Sequence, residues 1–263
     1  MRISKRQVKP NFKEEKKLWK RGYKFVAGVD EVGRGCFAGP VVAGCVIFSA
    51  TFKGTTLQGV KIKIDDSKKL TPRQRERADK WIKENALSWG VGEISTSVIN
   101  RLGMAKATKM TFRKAVSDAR KRLQNRIDFL LVDAFFIPYI PGLPTRRKKD
   151  KKGRWRKVAR GRQLAIVDGD QKSLSIAAAS IIAKVYRDKL MLKLSKKPKF
   201  KKYGWGRNKG YGTKEHQNTI LKFGITRYHR KQFVETFLSS HRGVLIRRPG
   251  WKRGLRRGII SSP

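Results

Sequence analysis

The chain is short of acid. Nineteen Asp and Glu stand against sixty-five Lys and Arg in 263 residues, a formal charge of +46. This excludes an ordinary neutral enzyme surface, because such a charge repels itself unless an acidic partner or counterions screen it. Nucleic acid is the expected partner. Cysteine is nearly absent, and Cys36 and Cys45 alone cannot build a disulfide framework or a zinc site, which suits a reducing compartment. No apolar run approaches the roughly 18–20 residues that span a bilayer, so no membrane is expected. The basic first twenty residues lack the apolar stretch of a secretory signal, and the expected location is the cytoplasm. What the chain does have is 39% hydrophobic residues, enough for a core of one large domain or two small ones.

Residues 1–22 read as a basic arm, partly helical. From Tyr23 the character changes: YKFVAGVD and the almost wholly apolar GPVVAGCVIFSA read as strands, joined through the Gly-rich EVGRGCFAGP. LTPRQRERADKWIKENA, with Pro72 near its start, reads as a helix, LSWGVGEIS as a strand, and residues 97–123 as a long amphipathic helix. RIDFLLVDAFF is a buried strand ending at Asp133, and QLAIVDGD a further short one. Between them, residues 146–160 carry ten basic residues and one acid, and read as an exposed basic loop within an insertion at about 138–162. KSLSIAAASIIAKVYRDKLMLKL is a strong helix whose small residues suggest close packing on a sheet. The expected organisation is an α/β layered catalytic domain over residues 23–240 and a basic tail over 241–263.

With so few acids, their placement is informative. Glu14, Glu15, Glu76, Asp79, Glu84 and Asp118 lie in stretches readable as solvated helix or loop. Asp30, Glu31, Asp133 and Asp170 instead follow apolar strand sequence, at the carboxyl ends where open α/β sheets place ligand sites. A single such acid could simply cap a helix or finish a turn. Four converging there cannot all ionise without compensating positive charge, and hard oxygen donors suit Mg²⁺ or Mn²⁺. Together with the phosphate-seeking charge, they point to two-metal phosphodiester chemistry.

The blocks VAGVDEVGRGCFAGPVVAGCVIF, DDSKKLT, ALSWGVGEIS, LLVDA, GDQKSLSIAAASIIAKVYRD, KGYGTKEH and GITRYHRKQF occur in that order over about residues 25–233. In them the chain resembles ribonuclease HII, the bacterial type 2 ribonuclease H. The resemblance implies a ribonuclease H-like α/β fold, a mixed central sheet flanked by helices. It implies Asp30, Glu31, Asp133 and Asp170 as catalytic carboxylates holding Mn²⁺ or Mg²⁺ in a two-metal site. The implied reaction is cleavage 5′ to a ribonucleotide in an RNA–DNA hybrid or in duplex DNA, leaving a 3′-hydroxyl and a 5′-phosphate. Gly33, Arg34 and Gly35 match the family's reader of the 2′-hydroxyl, the group that separates RNA from DNA. Tyr211 matches the tyrosine that stacks on the next deoxyribose. Further expected substrate contacts are Lys68, Lys172, Ser173, His229 and Arg230. Ser173 is also readable as a plain helix cap, Lys68 and Lys69 as a solvated loop, and His216 as structural. The chain is expected to act as a monomer.

Several positions depart from the family pattern. Asp168 stands where the family usually has Lys or Asn and is expected to raise the proton affinity of Asp170 or to weaken product release. Cys36 replaces a common Pro, Gly212 a Pro and Gln232 a Ser. The excess charge in the arm, the 146–160 loop and the tail from Arg242 is expected to act as a sequence-independent phosphate clamp. A competing reading is a non-catalytic basic nucleic-acid-binding protein on the same fold, and the four intact acids speak against it. The Arg of GRG and the block after Gly169 speak against type 1 or type 3 hybrid nucleases.

Overall fold

The structure, a computed structural model, describes residues 9–52, 56–57, 60–143, 145–149, 155–159 and 162–240. The chain divides into two compact units, Met1–Arg230 and Lys231–Pro263. In the first, helix α1 (Lys13–Trp19) precedes strands β1 (Val26–Val32) and β2 (Val41–Ile47), which pair antiparallel from Ala27 opposite Ile47 to Val32 opposite Val42. A short antiparallel pair, β3 (Thr56–Leu57) and β4 (Val60–Lys61), leads to helix α2 (Pro72–Asn85). Thr71 starts that helix with a capping box: its side chain accepts from the Gln74 amide while Gln74 accepts from the Thr71 amide, and Pro72 fills the first turn.

Strand β5 (Ser88–Ile94) follows, antiparallel to β2. The single helix expected over 97–123 is two, α3 (Thr96–Leu102) and α4 (Met104–Leu123), because the backbone turns to a φ of 78° at Gly103. Strand β6 (Phe129–Asp133) runs parallel to β1. The expected basic loop at 146–160 instead contains two antiparallel strands, β7 (Thr145–Lys149) and β8 (Trp155–Ala159); the intervening residues lie outside the described set. Runs of Lys and Arg are compatible with a strand wherever both edges can stay solvated, so charge alone is a poor guide to backbone conformation. Strand β9 (Gln163–Ile166) runs parallel to β6 and ends before Asp168, not at Asp170 as expected.

Beyond β9 come α5 (Gly169–Lys172), the long α6 (Leu174–Ser195), α7 (Pro198–Lys201), α8 (Trp205–Asn208) and α9 (Lys214–Phe223). The five-stranded sheet has the order β5-β2-β1-β6-β9, mixed and flanked by helices as the resemblance implied. α4 covers one face through Phe112, Ala115, Val116 and Ala119. α6 covers the other, joined by Trp81 and Ile82 of α2. All seven residues of β2 are buried, which explains why this strand reads as a continuous apolar run instead of an alternation. The second unit contains α10 (Lys231–Ser240), and residues 241–263 lie outside the described set, as does the tail expected to clamp phosphate. Among the described residues no helix is long and apolar enough to cross a membrane.

Two acids read as solvated are not. Glu15 and Asp79 are both buried. With Glu15, Leu18 of α1 is buried as well, against Val26, Phe129, Leu131 and Ile176, so residues 13–19 belong to the core of the first unit. An i, i+3 pair on one face of a short helix is too little periodicity to announce burial against so basic a background.

The closeness of α6 to the sheet depends on Gly44, where a Cβ would collide with the Ala179 carbonyl of α6. Backbone cannot move aside as a side-chain tip can. Gly44→Ala is therefore expected to destabilise the protein by about 2–3 kcal/mol, at the upper end of overpacking effects, measurable as a lowered urea midpoint with an unchanged m-value.

Candidate functional site

Parallel pairing of β1 with β6 sets the site. Val29 lies opposite Val132, so the next residues, Asp30 and Asp133, stand on adjacent strands at the same end of the sheet. Asp30 is almost fully buried, and its Oδ1 accepts the Glu31 amide at 2.7 Å. Asp133 accepts the Gly169 amide at 2.8 Å, which ties the turn after β9 to the end of β6. Asp170 follows in that turn, within α5, and is buried. The four acids therefore come from β1, β6 and a helical turn beyond β9.

Their electrostatics show how closely they are placed. Burial raises the Asp30 carboxyl well above its usual range, and Glu31, Asp133 and Asp170 push it further, against a relieving hydrogen bond with Ser180. Glu31 rises to about 7 through burial and Asp133, although Arg34 pulls it down. Asp133 is raised by burial and by Asp168 and Asp66, against the Gly169 amide and Lys68. Asp170 rises to about 6, chiefly through burial and next through Asp66, while Lys68 opposes. The acid acting most strongly on Asp170 is thus Asp66, with Asp133 behind it. The expected effect of Asp168 falls on Asp133 instead, because Asp168 precedes α5 in a left-handed turn (φ 54°) and stays exposed.

Asp66 was not among the expected site residues. It is buried at the start of the Asp66-Ser67-Lys68-Lys69 turn, where its side chain accepts the Lys68 amide at 3.0 Å. Its signal in the sequence was adjacency to Lys68, whose ammonium reaches Asp170 at 3.9 Å. Burial pulls that ammonium down, but Asp66, Asp170, Asp30 and Asp133 together raise it above its ordinary value.

Hard carboxylate oxygens suit a divalent cation, and one of them is left without any other use: Glu31 Oε2 is buried with no hydrogen-bond partner. The donor set fits the expected metals. Among the described residues no three His, Cys, Asp or Glu side chains are gathered into a finished ion cage. Like charges held at such range separate unless a cation draws them in.

Gly33-Arg34-Gly35 leads directly out of β1. Gly33 has a φ of 91°, and any side chain there would strike Arg187. Arg34 is exposed, pairs with Glu31 at 3.3 Å, and stacks over Phe135 with its guanidinium 4.4 Å from the ring centre. Two fully buried arginines hold this loop from beneath. Arg187 of α6 donates to the carbonyls of Pro40, Ala38 and Lys209. Arg230 donates to those of Gly39, Pro40 and Arg34. Because Arg187 bridges to Lys209, the same clamp fixes the loop carrying Tyr211, whose ring stays partly exposed. Burial and a hydrogen bond to Cys36 push the Tyr211 hydroxyl up to about 12, against the nearby Arg187.

The remaining expected contacts are placed elsewhere. Ser173 is fully buried; its hydroxyl donates to Glu15 at 2.6 Å and accepts the Ile176 amide, so it caps α6. Lys172 is exposed, with its ammonium on the Val167 carbonyl. His229 is buried against His216, 3.1 Å between their Nε2 atoms, and burial with that neighbour lowers it to about 3. His216 in turn donates Nδ1–H to the Tyr211 carbonyl, the structural role expected of it. Ser173, His229 and Arg230 therefore shape the loops that could meet substrate, and do not present their own side chains.

Comparisons with known proteins give the family and the fold. The family model described as Ribonuclease HII matches residues 27–236. A ribonuclease HII of Dehalococcoides mccartyi is 43% identical over 225 residues, 86% of this chain and 93% of that protein. One from Caldanaerobacter subterraneus is 40% identical over 226 residues, 86% of this chain and 80% of that protein. The crystal structure of ribonuclease H2 from Pyrococcus horikoshii superposes with a TM-score of 0.58 over 83% of this chain and 99% of that one, at 23% identity, a likeness of fold.

The raised acids make a stability prediction. Glu31 binds its proton more tightly in the folded chain, near 7, than at its ordinary 4.5. The protonated form therefore contributes stability that is present below about pH 4.5 and lost as pH rises through 7. Metal-free protein should lose stability between pH 5 and 8, and Glu31→Gln should flatten that loss by up to about 3 kcal/mol. Urea melts of both proteins across this range, with chelator present, check it.

Proposed function

Because the chain belongs to the ribonuclease HII family, we propose that it cuts the phosphodiester on the 5′ side of ribonucleotides, in RNA–DNA hybrids and in duplex DNA, leaving a 3′-hydroxyl and a 5′-phosphate. Membership makes it a ribonuclease H, a hydrolase that cuts internally. The observation that carries the finer reading is the meeting of four acids, Asp30 and Asp170 buried and Glu31 and Asp133 half-buried, with the Gly33-Arg34-Gly35 loop at one end of β1. Asp30, Glu31, Asp133 and Asp170 would hold Mn²⁺ or Mg²⁺. Bound there, such ions would make an attacking water more acidic and stabilise charge on the phosphorus and the leaving 3′-oxygen.

The chain's own groups supply the rest. Crowding and burial leave the acids with protons they bind too tightly, so they are primed to exchange them for a cation. Lys68 brings a positive charge beside Asp170, suited to a phosphate oxygen arriving there. Gly33 and Gly35 keep backbone bare where a sugar must come close, and Arg34 is held over the Phe135 ring while its side chain stays exposed. Tyr211 offers a ring to the deoxyribose that follows. The clamp of Arg187 and Arg230 fixes both reading elements before substrate arrives, which lowers the ordering cost of binding. The high positive charge draws the duplex in and carries no sequence preference. We infer action as a monomer in the cytoplasm, on a nucleic-acid partner.

Two measurements test this. On a duplex with one embedded ribonucleotide, EDTA should abolish cutting and Mn²⁺ or Mg²⁺ restore it. Asp133→Asn should lose several orders of magnitude in rate with little change in duplex affinity; undiminished cutting would refute the assignment. Separately, Arg34→Ala should lose roughly 10- to 150-fold on the single-ribonucleotide duplex, the worth of a hydrogen bond from a charged group. A long hybrid should suffer less. Equal losses on both, matched by an unrelated surface lysine variant, would reduce Arg34 to a general phosphate contact.

A further inference from the structure

Residues 11–19 lie outside the stretch matched by the family model, in a segment whose composition suggests only a charged arm. In the fold they form a strap across the turn that carries Asp170. The Asn11 amide donates to the Lys172 carbonyl at 3.3 Å, and the Leu174 amide donates to the Asn11 carbonyl at 3.0 Å, so backbone bonds bracket Ser173 on both sides. Glu15 then reaches into the junction between α5 and α6. Its Oε1 accepts from the Ser173 hydroxyl at 2.6 Å, the Ser175 hydroxyl at 2.7 Å and the Ser175 amide at 3.0 Å. Its Oε2 is buried with no hydrogen-bond partner.

A fully buried carboxylate with one bare oxygen is expensive on its own. Here it sits at the amino end of the 22-residue α6, where exposed amides and the helix dipole favour negative charge. The first turns of α6 are also the footing of the site. Ser175 fills the place a Cβ on Gly28 of β1 would need, two residues before Asp30. Ser180, one turn further, bonds Asp30 and also lies 3.0 Å from the Ser67 hydroxyl, beside Asp66. The Ser173 amide closes the α5 turn onto the Gly169 carbonyl, with Asp170 inside that turn. Whatever fixes the start of α6 fixes Asp170 against Asp30 and Asp133.

We propose that this amino-terminal strap is part of the catalytic architecture, with Glu15 as the positioning residue for Asp170. The inference rests on the function proposed above. It differs from the reading of the arm as a phosphate clamp: the strap acts through an acid, on the protein itself, and not through basic residues on the duplex.

The test compares Glu15→Ala and Glu15→Gln in the full chain. Three readouts are needed: amide hydrogen exchange of the metal-free protein, Mn²⁺ binding by calorimetry, and steady-state cutting of a single-ribonucleotide duplex. Glu15→Ala should speed exchange at residues 171–177 by tenfold or more while β2 and α4 keep their protection. It should weaken Mn²⁺ binding several-fold and lower kcat at least tenfold with KM nearly unchanged. Glu15→Gln, whose amide oxygen can accept the same three bonds, should stay within about threefold of the parent in all three. Unchanged exchange and Mn²⁺ affinity in Glu15→Ala would overturn the proposal, as would a loss confined to KM or a loss of protection spread evenly over the domain. If Glu15→Ala does not fold, Ser173→Ala removes one of the three bonds and should move the same readouts in the same direction; no movement would again overturn it. If the parent itself fails to cut the ribonucleotide duplex, the proposed function falls, while exchange and Mn²⁺ binding still decide the strap.

Discussion

Carboxylates brought together out of water repel one another, and the rest of this structure is arranged around that repulsion. Asp30 and Asp133 cannot avoid each other once β1 and β6 pair in parallel, because the register fixes them side by side. Burial removes the solvent that would screen them and raises all four acids above their ordinary range. Proteins retain such an arrangement at a cost to stability where it serves binding or catalysis. Each neighbour can be read as partial relief: Ser180 on Asp30, the Gly169 amide on Asp133, Lys68 on Asp170 and Arg34 on Glu31. None of these neutralises the set, which leaves it with a strong appetite for cations.

A second constraint is rigidity. Reading a sugar requires backbone at close range, hence the glycines beside Arg34, yet glycine loosens the loop that it frees. The structure recovers order with arginines buried to exhaustion in backbone carbonyls. Arg187 and Arg230 between them take up carbonyls from Arg34, Ala38, Gly39, Pro40 and Lys209. A guanidinium is suited to this because its planar donors point in fixed directions and its charge persists when buried. Among the described residues these two are the Lys and Arg side chains that are fully buried.

The same division marks the acids. Glu15 gathers hydrogen bonds at the head of α6, Asp79 pairs with Lys83 within α2, and Asp188 is held by Lys184 and approached by Arg75. The informative acids are those whose nearest neighbours are other acids.

Much was determined by the sequence alone. Apolar strand runs, the glycine-bounded turn after β1, and acids directly following apolar residues identify the sheet and three of the four carboxylate positions, since strand pattern and local turn chemistry are written in adjacent residues. The ordered motif blocks do the same for the family. Tertiary structure decided what depends on distant partners. It placed Asp170 in a helical turn stitched to Asp133, and brought Asp66 to bear on it across more than a hundred residues of chain. It turned Ser173, His229 and Arg230 inward, and set Glu15, one charge among many in a basic segment, beneath the site. Periodicity and composition report which residues prefer water, but not which charge will be enclosed by which neighbour; that follows only from the close approach of α6 to the sheet at Gly28 and Gly44, where there is room for backbone and for nothing else.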